Sequence, residues 1–306
     1  MTVVHGESGA AGKAGGGAGS EPDAWLAERF QEQRGKLRAV AYRMLGSLEE
    51  ADDAVQEAWV RCSAAGADDV ANLGGWLTTI VSRVCLNTLR ARAARPETLT
   101  GPRVPDPVLS PADGPTPEQE ALLADSVGLA LLVVLDTLAP AERVAFVLHD
   151  VFDVPFAEIG AMLGRSTDAT RQLASRARRR VRAAGATEPD AAVAAQRAVV
   201  DAFFAAARAG DLTTLVGLLD PEVVLRTDGF VRGPAVLRGA ATVANAVASG
   251  ASPRAEFHPV LVNGVAGMLI TLNGRPAGLM AFTIVNGRIT AVDGITDPRR
   301  VRKLVG

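Results

Sequence analysis

The segment Pro155-Phe156-Ala157-Glu158-Ile159-Gly160-Ala161-Met162-Leu163-Gly164-Arg165-Ser166-Thr167-Asp168-Ala169-Thr170-Arg171-Gln172-Leu173 decides how the chain is read. Phe156, Ile159 and Leu163 recur at helical spacing, which gives the first half one buried face. Gly164 stands where that helix must stop, since glycine takes the left-handed conformation without a Cβ clash. Ser166 is placed to cap a second helix, and Asp168 in its first turn suits the helix dipole. The second helix carries Arg171, Arg176, Arg178, Arg179, Arg180 and Arg182, with Asp168 as its one acid. Two helices joined by a tight glycine turn, the second cationic, spell a helix-turn-helix over about 154–173. Thr170, Arg171, Gln172 and Ser175 form a polar face near the helix start, where base edges are read. Arginine pairs bidentately with guanine and glutamine with adenine. Arg176 and Arg179 extend that face, and the later arginines are expected to hold phosphates. The competing reading is an ordinary helical hairpin with a solvated basic face.

Composition bounds the rest. At 306 residues the chain is long enough for two or three domains. Hydrophobic residues are 48% and charged residues 22%, a globular balance. Aromatics are only 4%, so the core must be built from Ala, Val and Leu. Cys62 and Cys85 are too few for a disulfide scaffold or a four-cysteine zinc site. They read as buried thiols, with redox sensing the alternative. His5, His149 and His258 match no metal spacing, so neither a metal nor a cofactor is expected. Apolar runs such as Val127–Leu135 are too short to span a bilayer, and no signal peptide is recognisable, so a cytoplasmic protein is expected.

A net charge of −2 argues against a generic nucleic-acid binder, yet the charge is blocked along the chain. Residues 97–141 carry 1 basic and 7 acidic groups, whereas residues 142–183 carry 8 and 5. The organisation expected is a disordered tail over 1–22, a helical module over 23–96 and a proline-rich linker over 97–118. A second helical module follows over 119–184, then an α+β unit over 190–306. In the last unit, helices are expected at Val193–Arg208 and Leu212–Leu219, the latter stopped by Pro221. Asn263-Gly264, Asn273-Gly274 and Asn286-Gly287 between apolar runs mark type I′ hairpins.

The first module carries two helices of opposite sign. Ser47 and Glu50 are spaced as a capping box, opening a helix with Val55 and Trp59 on its apolar stripe. Asp52, Asp53, Gln56 and Glu57 give that helix an acidic-polar face, which repels DNA and suits a basic protein partner. The next helix, Leu73–Arg95, has Trp76, Ile80 and Val84 on an apolar face and Arg83, Asn87, Arg90, Arg92 and Arg95, without an acid. The loop Ala64–Asn72 between them is short, polar and able to shape a pocket. Trp59 and Trp76 read as core packing, with base stacking the alternative.

These motifs, in this order, resemble bacterial extracytoplasmic-function sigma factors of RNA polymerase: residues 25–95 are similar to their region 2 and residues 120–183 to their region 4. The resemblance implies two all-α modules and no enzymatic activity. It assigns Asp52, Asp53, Gln56 and Glu57 to the β′ coiled coil of the core enzyme. Asn72, Arg83, Asn87 and Arg90 fall to the −10 promoter element, which this part of the family melts, capturing a flipped base. Thr170, Arg171, Gln172, Ser175, Arg176 and Arg179 fall to the −35 element. The linker is expected to follow the RNA exit path. A ligand-responsive helix-turn-helix regulator that never joins polymerase is the other reading.

Residues 193–306 resemble the SnoaL-like branch of the NTF2-like fold, a cone of helices against a curved sheet, as carried by SigJ-like sigma factors. This implies a cis-regulatory module, with a small-molecule ligand in its pocket as a candidate partner. Related members carry a Trp-Leu-Pro-Glu-Pro linker motif and an Asn-Pro-Asp-Lys-Leu tail motif. Here the counterparts are Arg103-Val-Pro105-Asp106-Pro107 and Asp297-Pro298-Arg299-Arg300-Val301, where the prolines align and most other positions differ. Relatives of the fold include isomerases and cyclases. Asp228, His258 and Asp293 are the groups such chemistry could use, and each reads more simply as a turn, surface or hydrogen-bonding residue.

Overall fold

The structure, a computed structural model, describes residues 21–67, 70–94, 104–112, 114, 128–183, 193–229 and 235–305. Residues 1–20 of the N-terminal tail, much of the proline-rich linker, the start of the second helical module over 119–127 and residues 184–192 lie outside the described residues.

Three helices open the chain: α1 (Glu21–Leu45), α2 (Leu48–Ala65) and α3 (Leu73–Ala94). Gly46 makes the tight turn between α1 and α2 at φ +72°, and its amide donates to Tyr42 O at 2.7 Å. Ser47 caps α2 by accepting the Glu50 amide at 3.5 Å. The Glu50 carboxylate is drawn to Arg92 on α3, so the expected capping pair also serves as an interhelical ion pair. Small residues let the helices approach: Ala51, Ala54 and Ala58 of α2 are buried with Val40, Met44, Leu77 and Val81. Trp59 packs its ring 5.0 Å from Phe30, and Trp76 lies against the same core, as expected for packing residues.

The linker resumes at Val104, which is buried with Val108 in that core. Its residues Leu109–Pro111 form a short strand, β1. Such proline density disfavours a central strand, and β1 takes the edge of the sheet, where an absent N–H is tolerated. The second helical module follows as α4 (Leu129–Asp136), α5 (Pro140–Phe146), α6 (Phe156–Leu163) and α7 (Thr167–Ala183). Between α5 and α6 the chain runs through a π-helical turn, Val147–Val151.

The α+β unit comprises α8 (Val193–Ala209), α9 (Leu212–Leu218), β2 (Leu219–Thr227), β3 (Ala235–Arg238) and α10 (Ala240–Gly250). It ends with β4 (Ala255–Val262), β5 (Val265–Leu272), β6 (Arg275–Val285), β7 (Arg288–Ile295) and α11 (Pro298–Val305). The helix expected to stop before Pro221 does so: α9 ends at Leu218, and Pro221 lies in the strand that follows directly. The strand order is β1-β4-β5-β6-β7-β2-β3, and among the described residues only the β2–β7 pair is parallel. Each Asn-Gly turn has the positive φ its hairpin requires: Asn263, Asn273 and Asn286 stand at +51°, +52° and +53°.

The two faces of this sheet do different work. Met268, Phe282, Ile284 and Val292 point towards α8–α10, where Phe203, Phe204, Phe257 and Phe282 fill the cone with rings 4.7–5.7 Å apart. Val262, Leu279, Ala281 and Ile295 point the other way and join the core of α1–α7. The α+β unit is therefore packed on both helical modules.

Candidate nucleic-acid interface

The exposed face of α2 is built from Asp53, Gln56, Glu57 and Val60. These positions follow one another at helical spacing while Ala54, Val55 and Ala58 turn inward. Val60 is 60% exposed, an apolar member of the acidic stripe that a charge-based reading overlooks. Glu57 pairs with Arg61 one turn on. Asp52 belongs elsewhere. Its carboxylate takes both forks of Arg38 on α1, at 2.7 and 2.9 Å, so it ties two helices together.

On α3, Arg83, Asn87 and Arg90 are exposed on one side, three and four residues apart, while Leu77, Val81, Val84 and Leu89 fill the other. Asn72 sits at the helix entrance, where its Oδ1 accepts the Gly75 amide at 3.0 Å. It lies apart from the Arg83–Arg90 stripe, at one wall of a 440 Å³ cleft. Gly74, Gly75, Thr78 and Thr79 share that wall, and Phe152, Glu158 and Met162 stand across it. Arg92 does not face solvent with the others, because it donates to Leu45 O at 3.1 Å and pairs with Glu50.

The helix-turn-helix forms as its residues require. Gly164 is left-handed at φ +66°, and Ser166 Oγ accepts the Ala169 amide at 3.2 Å. Gly160 lets the two helices close. A Cβ there would lie 2.8 Å from Arg165 O and 3.2 Å from Thr170 Oγ1. Thr170 is fully buried at that contact, with its hydroxyl bonded to Ser166 O at 2.9 Å. It is thus removed from the base-reading face on which the sequence placed it. Arg171, Gln172, Ser175 and Arg179 remain exposed along α7. Arg171 is steadied by Asp168 at 2.7 Å. Arg176 is only partly available, because Glu142, buried on α5, takes Arg176 at 2.8 Å and Arg180 at 2.9 Å. That carboxylate orients the recognition helix on its support.

Comparison with known proteins decides what this constellation is. The family model Sigma-70 region 2 matches residues 29–95, and Sigma-70, region 4 matches residues 128–181. The chain is 44% identical to "ECF RNA polymerase sigma factor SigJ" of Mycobacterium tuberculosis over 212 residues, 68% of this chain and 67% of that protein. It is 36% identical to "Probable ECF RNA polymerase sigma factor SigI" of the same species over 281 residues, 88% and 92% of the two chains. The chain belongs to the extracytoplasmic-function sigma factors of RNA polymerase. The similarity extends to three dimensions and through the α+β unit. The crystal structure of Mycobacterium tuberculosis SigJ superposes with a TM-score of 0.70 at 36% identity, covering 90% of this sigma factor and 97% of that chain. These matches do not favour a regulator that acts without polymerase.

The sigma factor's linker and tail also meet. Arg300 of α11 donates to Val104 O at 2.7 Å and pairs with Asp106 at 2.5 Å and Asp228 at 3.0 Å. Val104 and Asp106 of the linker and Arg300 of the tail, from the two motifs whose prolines align with those of related members, are thus brought together. Lys303 adds an ion pair to Glu49 at the start of α2, which raises the lysine pKa. The three carboxyl and imidazole groups of catalytic interest are all engaged. Asp228 holds Thr296 N at 2.7 Å besides Arg300, and fully buried Asp293 pairs with Arg226 at 2.8 Å. His258 is exposed and bonded to Thr271 Oγ1 at 3.0 Å.

Proposed function

We propose that this sigma factor binds core RNA polymerase through the exposed stripe of α2 and directs initiation at promoters with −10 and −35 elements. One exposed acidic face and two exposed basic faces support the reading: acidic α2, basic α3 and basic α7. Asp53, Gln56 and Glu57 meet the β′ coiled coil, with Val60 as an apolar anchor. Asp52 acts indirectly, by holding α2 on α1 through Arg38. Arg83, Asn87 and Arg90 take the −10 strand, and Asn72 shapes the cleft wall at the entrance of α3, apart from them. Arg171, Gln172 and Ser175 read the −35 element, while Arg176 and Arg179 hold its phosphates. The domain limits stated from the sequence stand as part of this proposal, and so does action in the cytoplasm.

The α+β unit acts in cis, and Arg300 carries that reading. One guanidinium joins the tail, the linker and the end of β2, so linker movement must break charged hydrogen bonds. The unit has no catalytic role in this account, because Asp228 and Asp293 each neutralise an arginine. A small-molecule ligand has weaker support, as aromatic rings fill the cone. Capture of core polymerase on immobilised protein tests the main reading. Glu57→Lys should lose most of the core retained by wild type; equal retention would sink the assignment. Arg300→Ala should change promoter output at unchanged core affinity, and unchanged output would remove the regulatory role.

A further inference from the structure

Glu142 of α5 is 5% exposed, yet both of its partners lie at the surface of α7. Arg176 and Arg180 keep 45% and 54% of their side chains in solvent. The carboxylate divides itself between them. Its Oε1 accepts from Arg176 Nε at 2.8 Å, and its Oε2 accepts from Arg180 Nη1 at 2.9 Å. Asp52 holds Arg38 differently, closing both oxygens on Nε and Nη2 of one guanidinium. That bidentate grip occupies the fork of a single cation. Glu142 instead takes one donor from each of two arginines and leaves their other nitrogens outside the bond. Two guanidiniums on one carboxylate retain one net positive charge.

Their placement on α7 decides what the outer donors meet. At about 3.6 residues per turn, Arg176 and Arg180 share one flank of the stripe formed by Arg171, Gln172, Ser175 and Arg179. Arg178 stands on the opposite flank, where its Nε donates to Asp150 of the π-helical turn at 2.5 Å. A helix lying in the major groove, about 12 Å wide, has a phosphate strand along each flank. A freely rotating arginine loses rotamer freedom when it takes a phosphate, whereas one already held by its inner edge lost that freedom on folding. Burial leaves the Glu142 carboxylate no water to replace its two cations, so it holds them firmly.

We propose that Glu142 is a positioning residue for DNA binding, presenting Arg176 and Arg180 as a preset pair for one backbone phosphate beside the bases that α7 reads. This rests on the promoter reading above. The single net charge and the two outward-facing guanidiniums match a phosphodiester, a monoanion with two unesterified oxygens. The pair supplies affinity and no sequence information, since the phosphate is the same beside every base pair.

The test uses holoenzyme assembled from the full chain and core polymerase. It is titrated across salt concentrations onto duplexes that it retains from a genomic pool, and onto their scrambled counterparts. Glu142→Gln, checked for native helicity, should bind both kinds several-fold more weakly, with unchanged preference between them. Its salt slope should be lower by about one unit. Arg176→Lys combined with Arg180→Lys keeps the charge at exposed positions but lacks the Nε edge. That pair should show the same loss, and adding Glu142→Gln to it should weaken binding no further. An unchanged slope in Glu142→Gln, or a wild-type slope in the double lysine variant, overturns the proposal. A steeper slope in Glu142→Gln also overturns it, by showing that the carboxylate only masks charge. A wild-type holoenzyme that prefers no duplex over its scrambled counterpart removes the promoter reading, and this proposal with it.

Discussion

The Tyr42 phenol oxygen of α1 lies 3.2 Å from Asn263 Oδ1 in the β4–β5 turn, across 221 residues of chain. It also lies 2.9 Å from Asp106 O in the linker, while Asn263 Oδ1 accepts the Val108 amide at 2.7 Å. One buried cluster thus joins region 2, the linker and the α+β sheet. Desolvation there drives the Tyr42 pKa well above its usual range, so the phenol stays a donor. Tyr42→Phe should cost about 1 kcal/mol of stability, and Asn263→Ala at least twice that, since a buried amide then loses its acceptor. Denaturant unfolding decides; an Asn263→Ala chain as stable as wild type would show that the cluster contributes nothing.

Closure of the helix-turn-helix depends on a missing side chain. A methyl group at Gly160 would meet Arg165 O at 2.8 Å, and backbone cannot yield as a flexible side chain can. Gly160→Ala should therefore cost about 1–3 kcal/mol, as overpacking does. Thermal unfolding of the full chain should drop by several degrees, and an unchanged midpoint would contradict the geometry.

Exposed residues of α7 should divide into two kinds. Gln172→Ala is expected to relax preference at one base pair by about 1–3 kcal/mol. Arg179→Ala should weaken binding to all sequences alike and flatten the salt dependence by about one unit. Binding of a promoter panel across salt concentrations separates them. Identical sequence preferences in the Gln172→Ala protein would remove that residue from direct readout.

The two cysteines should be chemically quiet in the folded chain. Burial pushes the Cys62 thiol up to about 11 and the Cys85 thiol up to about 12. A group raised in this way is protonated at neutral pH and ionises only as pH approaches those values. Alkylation at pH 8 should be slow for native protein and fast after unfolding. Rapid native labelling, or oxidation by mild peroxide, would revive the redox reading.

Much of this was legible in the sequence where chemistry is local. Gly164, Ser166 and the three Asn-Gly pairs specify their own backbone, and they form the turns they imply. Helical periodicity placed Asp53, Gln56 and Glu57, and likewise Arg83, Asn87 and Arg90, on exposed faces. What escaped was set by tertiary partners. Thr170 shares the polarity of its neighbours but faces Gly160, and Asp52 resembles Asp53 but faces Arg38. Arg176 and Arg92 looked like free cations until Glu142 and Glu50 were in place. Pro221 signalled the end of α9, but not that a strand starts at once, where β2 pairs irregularly with β7 between Leu219 and Val224. The buried positions of Arg43 and Arg143 had no local signal, because each is defined by another module.

Transcription from purified components tests the central claim most directly. The full-length protein and core polymerase are incubated on fragmented genomic DNA, with each component alone as control, and the 5′ ends of the transcripts are mapped. The account predicts starts that appear only when both are present, preceded by a shared pair of upstream elements, and that disappear with Glu57→Lys. Transcripts that never depend on this protein, despite its binding DNA unaided, would contradict it.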